Sequence, residues 1–231
     1  MPEVKPPETK KRNWLRDNGL SVALFLLFAI SIGGHALAGW INNNEERVRD
    51  GAPALELASY LGSGAFVSSV FENWESEFLQ MGTYVMLTAY LFQRGSPESK
   101  DPDKAAPQDR DPKLDANNRN APWPVRAGKI VRTLYAHSLG LGLLLLFGIS
   151  FVLHLLGSAS DAAERAIEIG EAPPTVLDHL GSSQFWFESF QNWQSEFLST
   201  GLLIVLSIFL RERGSPESKP VGAPHSKTGT D

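Results

Sequence analysis

The 231-residue chain contains no cysteine. Disulfides, thiolate metal sites and cysteine nucleophiles are therefore excluded. Basic charge is not in excess, since the formal net charge is −5, and this leaves no footprint for nucleic acid. The sequence offers no phosphate-cradling glycine loop, no nucleophile beside a base, and no His or Asp cluster at metal-ligand spacing. It therefore points away from an enzyme and from a zinc site, with no cofactor expected. Charge is also missing locally. Residues 20–40 hold no Asp, Glu, Lys or Arg over 21 positions, and residues 134–156 hold none over 23. A bilayer core about 30 Å thick takes roughly 20 residues of helix, so both stretches are span candidates. A slightly negative mean hydropathy conceals them, because polar tails and linkers dilute the apolar runs.

What the chain does have is an internal copy of itself. FENWESEFL at residues 71–79 returns as FQNWQSEFL at 190–198, displaced by 119 positions with seven of nine identical. The same displacement carries RGSPESK at 94–100 onto 213–219 without a change, and His35 onto His154. One unit of about 87 residues is written twice.

Residues 1–19, polar with a basic group, read as a disordered cytoplasmic tail. Residues 20–100 form the first copy, with spans at about 20–40 and 73–93 and an acidic external segment between them. A cleaved signal peptide ending at Ala36-Leu37-Ala38 competes for the first span, but its partner lies mid-chain, where no such cleavage is expected. The second apolar run is strict only over residues 78–92. Its helix is therefore predicted to begin near Glu72 or Asn73, as an amphipathic opening turn with Trp74 at the headgroup level. Arg94-Gly95 reads as its stop, and Ser96-Pro97-Glu98 as the start of another helix. Residues 101–131, rich in Asp, Lys, Asn and Pro, read as a disordered cytoplasmic linker. Residues 132–219 repeat the plan, with spans at about 134–156 and 192–210 and Trp193 in the place of Trp74. Residues 220–231 read as a disordered tail.

Lys and Arg set the orientation. They number five before the first span, nine between the copies and four after the last span, against two and one in the segments inside each copy. Positive-inside bias then puts both termini and the linker in the cytoplasm. The expected fold is an all-α membrane protein of four transmembrane helices, arranged as two parallel two-helix repeats.

At the duplicated NW-x-SEF and RGSPESK motifs, and over residues 13–219, the chain resembles a bacterial family of small integral membrane proteins known only as a domain of unknown function. The resemblance implies a multi-pass protein of the bacterial cytoplasmic membrane. It implies no activity, cofactor or catalytic residue.

Depth singles out the candidate site. His35 lies 15 residues from Leu20 and Glu77 15 from Phe92, about 22 Å up each helix, and His154 from Leu139 and Glu196 from Arg211 repeat the count. Each copy is thus expected to bring one His and one Glu to one height, flanked by Asn73 and Asn192. These groups either carry protons or ions, or merely anchor helix ends at the interface, where polar groups are cheaper. Glu72 and Glu75 return as Gln191 and Gln194, so charge is expected to matter at Glu77 and Glu196, while the other pair need only be polar. His35 and His154 also raise a bis-histidine haem, and His137, matched by Asn18, reads as an interfacial polar residue. Arg94, Ser96, Arg213 and Ser215 either bind lipid headgroups or mark where a span stops. The leading function is a structural, interaction or lipid-interface role in the bilayer, with a homo-oligomer or membrane-protein partner open. A small proton- or ion-linked transporter or channel using His35/Glu77 and His154/Glu196 is the alternative, and a haem redox carrier comes third.

Overall fold

The computed structural model describes residues 14–229. Residues 1–13 and 230–231, the ends of the two expected tails, lie outside the described residues. All regular structure among the described residues is helical, and the chain divides into two compact units, residues 1–62 and 63–231.

The first unit is built on α1, Trp14–Arg49. Its 36 residues reach roughly 54 Å at 1.5 Å per residue. Asp17 in the first turn and Arg47 and Arg49 in the last complement the helix dipole. The chain turns back at Gly51, whose φ of 82° favours glycine. The returning strand of loop is tied to α1 by side chains. Trp40 donates to the Leu55 carbonyl at 2.8 Å, Asn44 brackets the Leu55 backbone at 2.7 and 2.9 Å, and Arg47 donates to the Pro53 carbonyl. The short helix α2, Leu57–Leu61, follows.

The second unit holds α3, Gly64–Tyr90; α4, Trp123–Arg126; α5, Lys129–Ala136; α6, Ser138–Glu168; α7, Val176–Leu180; and α8, Ser183–Phe209. The long helices α3 and α8 begin earlier than the apolar pattern suggests. Ser63 and Ser182 cap them by accepting from the amides of Phe66 and Phe185. The first turns also carry apolar residues that pack inward, Val70 on α3 and Phe185 on α8, so each helix extends ahead of its strict apolar run. Helix α3 packs along α6 and, over a shorter length, on α8. The closest approach is at two glycines. A Cβ on Gly64 would lie 2.6 Å from the Gly157 carbonyl, and one on Gly157 would lie 2.5 Å from the Ser68 amide. Small residues let two helix backbones meet in this way. A Cβ on Gly82 or Gly140 would also meet a neighbouring helix, whereas one on Gly33, Gly34, Gly142, Gly148 or Gly201 would meet nothing within 4 Å.

The interior is inverted relative to a water-soluble bundle. Among the described residues the buried apolar side chains are Tyr60, Val70, Val125, Ala159 and Phe185 alone, while buried serines recur at 68, 76, 150, 158, 189 and 207. Large apolar side chains face outward instead, among them Phe25 and Ile30 on α1, Leu145 and Ile149 on α6, and Leu202 and Phe209 on α8. Two helices, α1 and α6, are long and apolar enough to cross a membrane.

Displacement by 119 residues carries α2 onto α7 and α3 onto α8 in the chain, and the ends of α1 and α6 correspond likewise. The RGSPESK turns repeat to the atom. Ser99 accepts from the Gln93 amide and Ser218 from the Glu212 amide, while Ser96 and Ser215 accept from the amides of Glu98 and Glu217. No helix starts there, contrary to expectation, because each serine closes the loop back on itself. The region expected as a disordered linker forms 3-10 turns at Pro107–Asp109 and Pro112–Asp115, fastened by Lys100–Asp109 and Arg94–Asp103 ion pairs at 2.6 Å. The segment after Lys219 is also tied down. The buried Lys219 ammonium donates to the carbonyls of Gly95, His225 and Lys227, and Thr228 accepts from the Gly95 amide.

Candidate functional site

Three helices converge on His154 of α6, which is 0 % exposed. Its Nδ1–H donates to Glu75 Oε2 at 2.8 Å, and Glu75, on α3, is also 0 % exposed. The other Glu75 oxygen accepts from the Trp193 indole of α8 at 2.9 Å. The Nε2 side of the ring faces Glu188 Oε2 at 3.4 Å and Glu72 Oε2 at 3.9 Å. Phe185 covers the imidazole, with ring centroids 4.8 Å apart. Three carboxyl groups thus face one imidazole.

Each carboxylate is held by neighbours. Asn192 donates to Glu72 Oε1 and Gln184 to Glu188 Oε1, both at 3.1 Å. Ser158, one turn beyond His154, donates its single proton to Glu188 Oε2 at 2.8 Å. The 2.7 Å contact between Ser158 Oγ and His179 Nε2 must then have His179 as donor. Burial, the largest influence, holds the His179 imidazole below the ordinary histidine value, so it sits there as the neutral Nε2–H form. The side chains of Glu72 and Glu188 are 25 % and 23 % exposed, so the centre opens along their edges.

This arrangement corrects the expected pairing. His154 meets Glu75, Glu188 and Glu72 rather than Glu196. Glu77 and Glu196 instead lie close enough to each other to repel, because their turns of α3 and α8 approach one another, as the Gln80–Thr200 hydrogen bond shows. Asn192 belongs to the centre, whereas Asn73 is exposed and donates to the Ser69 carbonyl of its own helix. Trp193 gives its N–H to a buried carboxylate and is no headgroup anchor, while Trp74 packs edge-on against Phe71. His35 is half-buried on α1 and belongs to the first unit. A haem does not fit at His154: both ring nitrogens face carboxylates and Phe185 covers the ring.

Sequence reasoning passed over Glu72, Glu75, Ser158, His179 and Glu188. Metal-ligand spacing is a signal within one segment, and here the groups come from three helices and a short fourth. A signal was present nonetheless. Glu188 and His179 are matched by Ser69 and Tyr60 in the first copy, so these positions break the repeat.

At the other end of the unit the two RGSPESK turns differ in exposure. Gly95, Ser96, Pro97 and Ser99 are buried, whereas Arg213 and Gly214 are exposed. Ser96, buried and 3.4 Å from the Ser207 hydroxyl, cannot reach a headgroup, and Arg94 is paired with Asp103. Tyr84 donates to Glu98 Oε2 at 3.0 Å. Burial and then a hydrogen bond to Glu217, its counterpart in the second copy, push the Glu98 carboxyl above the usual range.

No curated protein and no solved structure matches the chain. A family pattern described as a domain of unknown function, DUF6766, matches residues 11–230. Since the match covers nearly the whole sequence, the chain belongs to the DUF6766 family.

Proposed function

We propose that the protein is a four-span integral membrane protein that handles small cations at the His154 centre, as a proton- or ion-linked transporter or channel rather than an enzyme. The apolar lengths of α1 and α6 support two crossings. Helices α3 and α8, 27 residues each, span roughly 40 Å at 1.5 Å per residue and supply the other two. The Lys/Arg asymmetry favours both termini inside, parallel repeats and a bacterial cytoplasmic membrane.

The observation that carries the reading is the complete burial of His154 and Glu75 within helices whose outer faces are apolar. Removing such ions from water costs several kcal/mol each. Anchoring a helix end does not require that cost, because anchors sit at the surface. Ionisable groups inside membrane helices mark ion pathways by default. His154 lies 16 residues into α6, about 24 Å from its start, with Glu72 and Glu188 at the accessible edge. A lipid-interface or scaffold role is the second reading. It is favoured by the second RGSPESK turn, where Arg213 is exposed beside the half-exposed Ser215.

Proteoliposomes with an entrapped pH dye and an imposed potassium-diffusion potential test the first reading. Wild-type protein should pass protons or exchange them for cations, and His154→Gln should not. Wild-type vesicles no more permeable than protein-free ones would leave only the scaffold role.

A further inference from the structure

We propose that Glu72, His154 and Glu188 bind one divalent transition-metal ion, with Glu75 and Trp193 as the outer partners that hold the histidine. This rests on the cation-handling reading of the same centre and names its substrate class.

The geometry is that of a built site. The three donor atoms, one from each long helix of the second unit, lie within 4.8 Å of one another. Bonds of about 2.0–2.1 Å in a tetrahedral shell set neighbouring donors about 3.4 Å apart. His154 Nε2 and Glu188 Oε2 are already at 3.4 Å. Glu72 Oε2, at 3.9 Å from Nε2, lies farther out and must close in for three bonds to form. Amide groups of Asn192 and Gln184 hold the Oε1 atoms of Glu72 and Glu188, so that Glu72 Oε2 faces Nε2 and Glu188 Oε2 lies between Nε2 and the Ser158 hydroxyl.

The outer contacts fix which nitrogen coordinates. Glu75 takes the Nδ1 proton, and the Trp193 indole holds Glu75 in turn. This is the carboxylate–histidine–metal arrangement that orients an imidazole and raises its basicity. With Nδ1 protonated, a neutral His154 would aim its Nε2 lone pair at two carboxylates. That repulsion is relieved only by a cation between them, either a proton or a metal ion. A divalent ion bound at Nε2 displaces the proton from that nitrogen to solvent, and brings one more positive charge to the same place. One imidazole nitrogen and two carboxylate oxygens, without a thiolate, suit Mn²⁺, Fe²⁺, Co²⁺ or Zn²⁺ better than a soft monovalent ion or Ca²⁺.

Titration of the full-length, tag-free protein in nanodiscs with Co²⁺, followed by visible absorption and calorimetry, tests this. We expect one saturable Co²⁺ per chain, displaced by Zn²⁺. Glu72→Gln and Glu188→Gln should each weaken it at least tenfold, and Glu75→Gln by about 10–100-fold. Glu164→Gln, an exposed change on α6, should leave it unaltered. Absence of saturable Co²⁺, or binding unchanged in both Glu72→Gln and Glu188→Gln, would overturn the proposal. If either variant fails to fold, the wild type decides alone: Zn²⁺ must raise its Tm, and an unmoved Tm counts against the site. Proton flux measured with a chelator present separates the two claims. Flux without Co²⁺ binding rejects the metal and keeps cation handling, whereas Co²⁺ binding without flux keeps the metal site and rejects transport.

Discussion

Around His154 the second copy carries Ser158, His179 and Glu188, and 119 residues earlier, around His35, the first copy carries Gly39, Tyr60 and Ser69. Both copies bring the corresponding positions together. In the second, His179 donates to Ser158 at 2.7 Å. In the first, the absent side chain of Gly39 leaves room for the Tyr60 hydroxyl, with which a Cβ there would collide. The local fold is therefore shared and the chemistry is not. The acids divide in the same way. Glu72 and Glu75 supply the His154 centre, and their counterparts on α8 are the amides Gln191 and Gln194. His154, Asn192 and Trp193 are common to both copies, and what sets the centre apart is the acids Glu72, Glu75 and Glu188 and the Ser158–His179 pair around them.

The largest test of this contrast is at Glu75. Glu75→Ala removes the counter-charge of a fully buried imidazole and should cost about 3–5 kcal/mol, whereas Gln194→Ala, at an exposed position, should stay within about 0.5 kcal/mol. Thermal unfolding in detergent compares the two, and equal losses would erase the distinction between the copies. Next comes the helix crossing. Gly157→Ala drives a Cβ into the Ser68 backbone and should cost about 1–3 kcal/mol. Its counterpart is already Ala38, where the reverse change to Gly should cost only the helix-propensity difference of about 1 kcal/mol.

These two contrasts show what was legible beforehand. The long helices followed from the apolar runs, because period and composition are local properties. The starts of α3 and α8 did not, since Ser63 and Ser182 cap them ahead of the strict apolar runs. The RGSPESK identity is plain in the sequence, but Ser-Pro-Glu has the composition of a helix start as well as of a serine-closed turn. The centre itself was half legible. His154 and Asn192 are marked by repetition, whereas Glu72 and Glu75 are not, because Gln191 and Gln194 replace them in the other copy. Matching Glu77 and Glu196 by depth failed because depth fixes height and not the face of the helix. Tertiary packing turned Glu75 inward and left Glu77 on the exposed side.

A smaller effect sharpens the comparison from the other direction. The double change Ser158→Gly with His179→Tyr installs the first copy's pair in the second. Because Gly39 and Tyr60 already pack in this way, the change should alter stability by no more than about 1 kcal/mol while weakening the hydrogen-bond support of Glu188. Metal titration and unfolding together check it, and a collapse of the fold would show that the two copies are not interchangeable even as scaffold.

The smallest expected effect lies at the RGSPESK turns, where the copies carry the same residue. Burial and the bond to Glu217 raise the Glu98 carboxyl, so its protonated form is favoured in the folded protein. Its contribution to stability is complete below the ordinary carboxyl value of 4.5 and is lost as pH rises through the raised one. Stability should therefore increase on mild acidification, and Glu98→Gln should flatten that slope. An unchanged slope in the variant would assign it to other groups.

The most direct measurement sets the two histidines side by side. Potential-driven proton or cation flux is recorded in proteoliposomes of wild type, His35→Gln and His154→Gln at matched incorporation. A charged centre confined to one side of the repeat requires His154→Gln to be silent and His35→Gln to retain most of the flux. Equal loss in both variants, or loss at His35 alone, would show that the asymmetry between the copies does not locate the function.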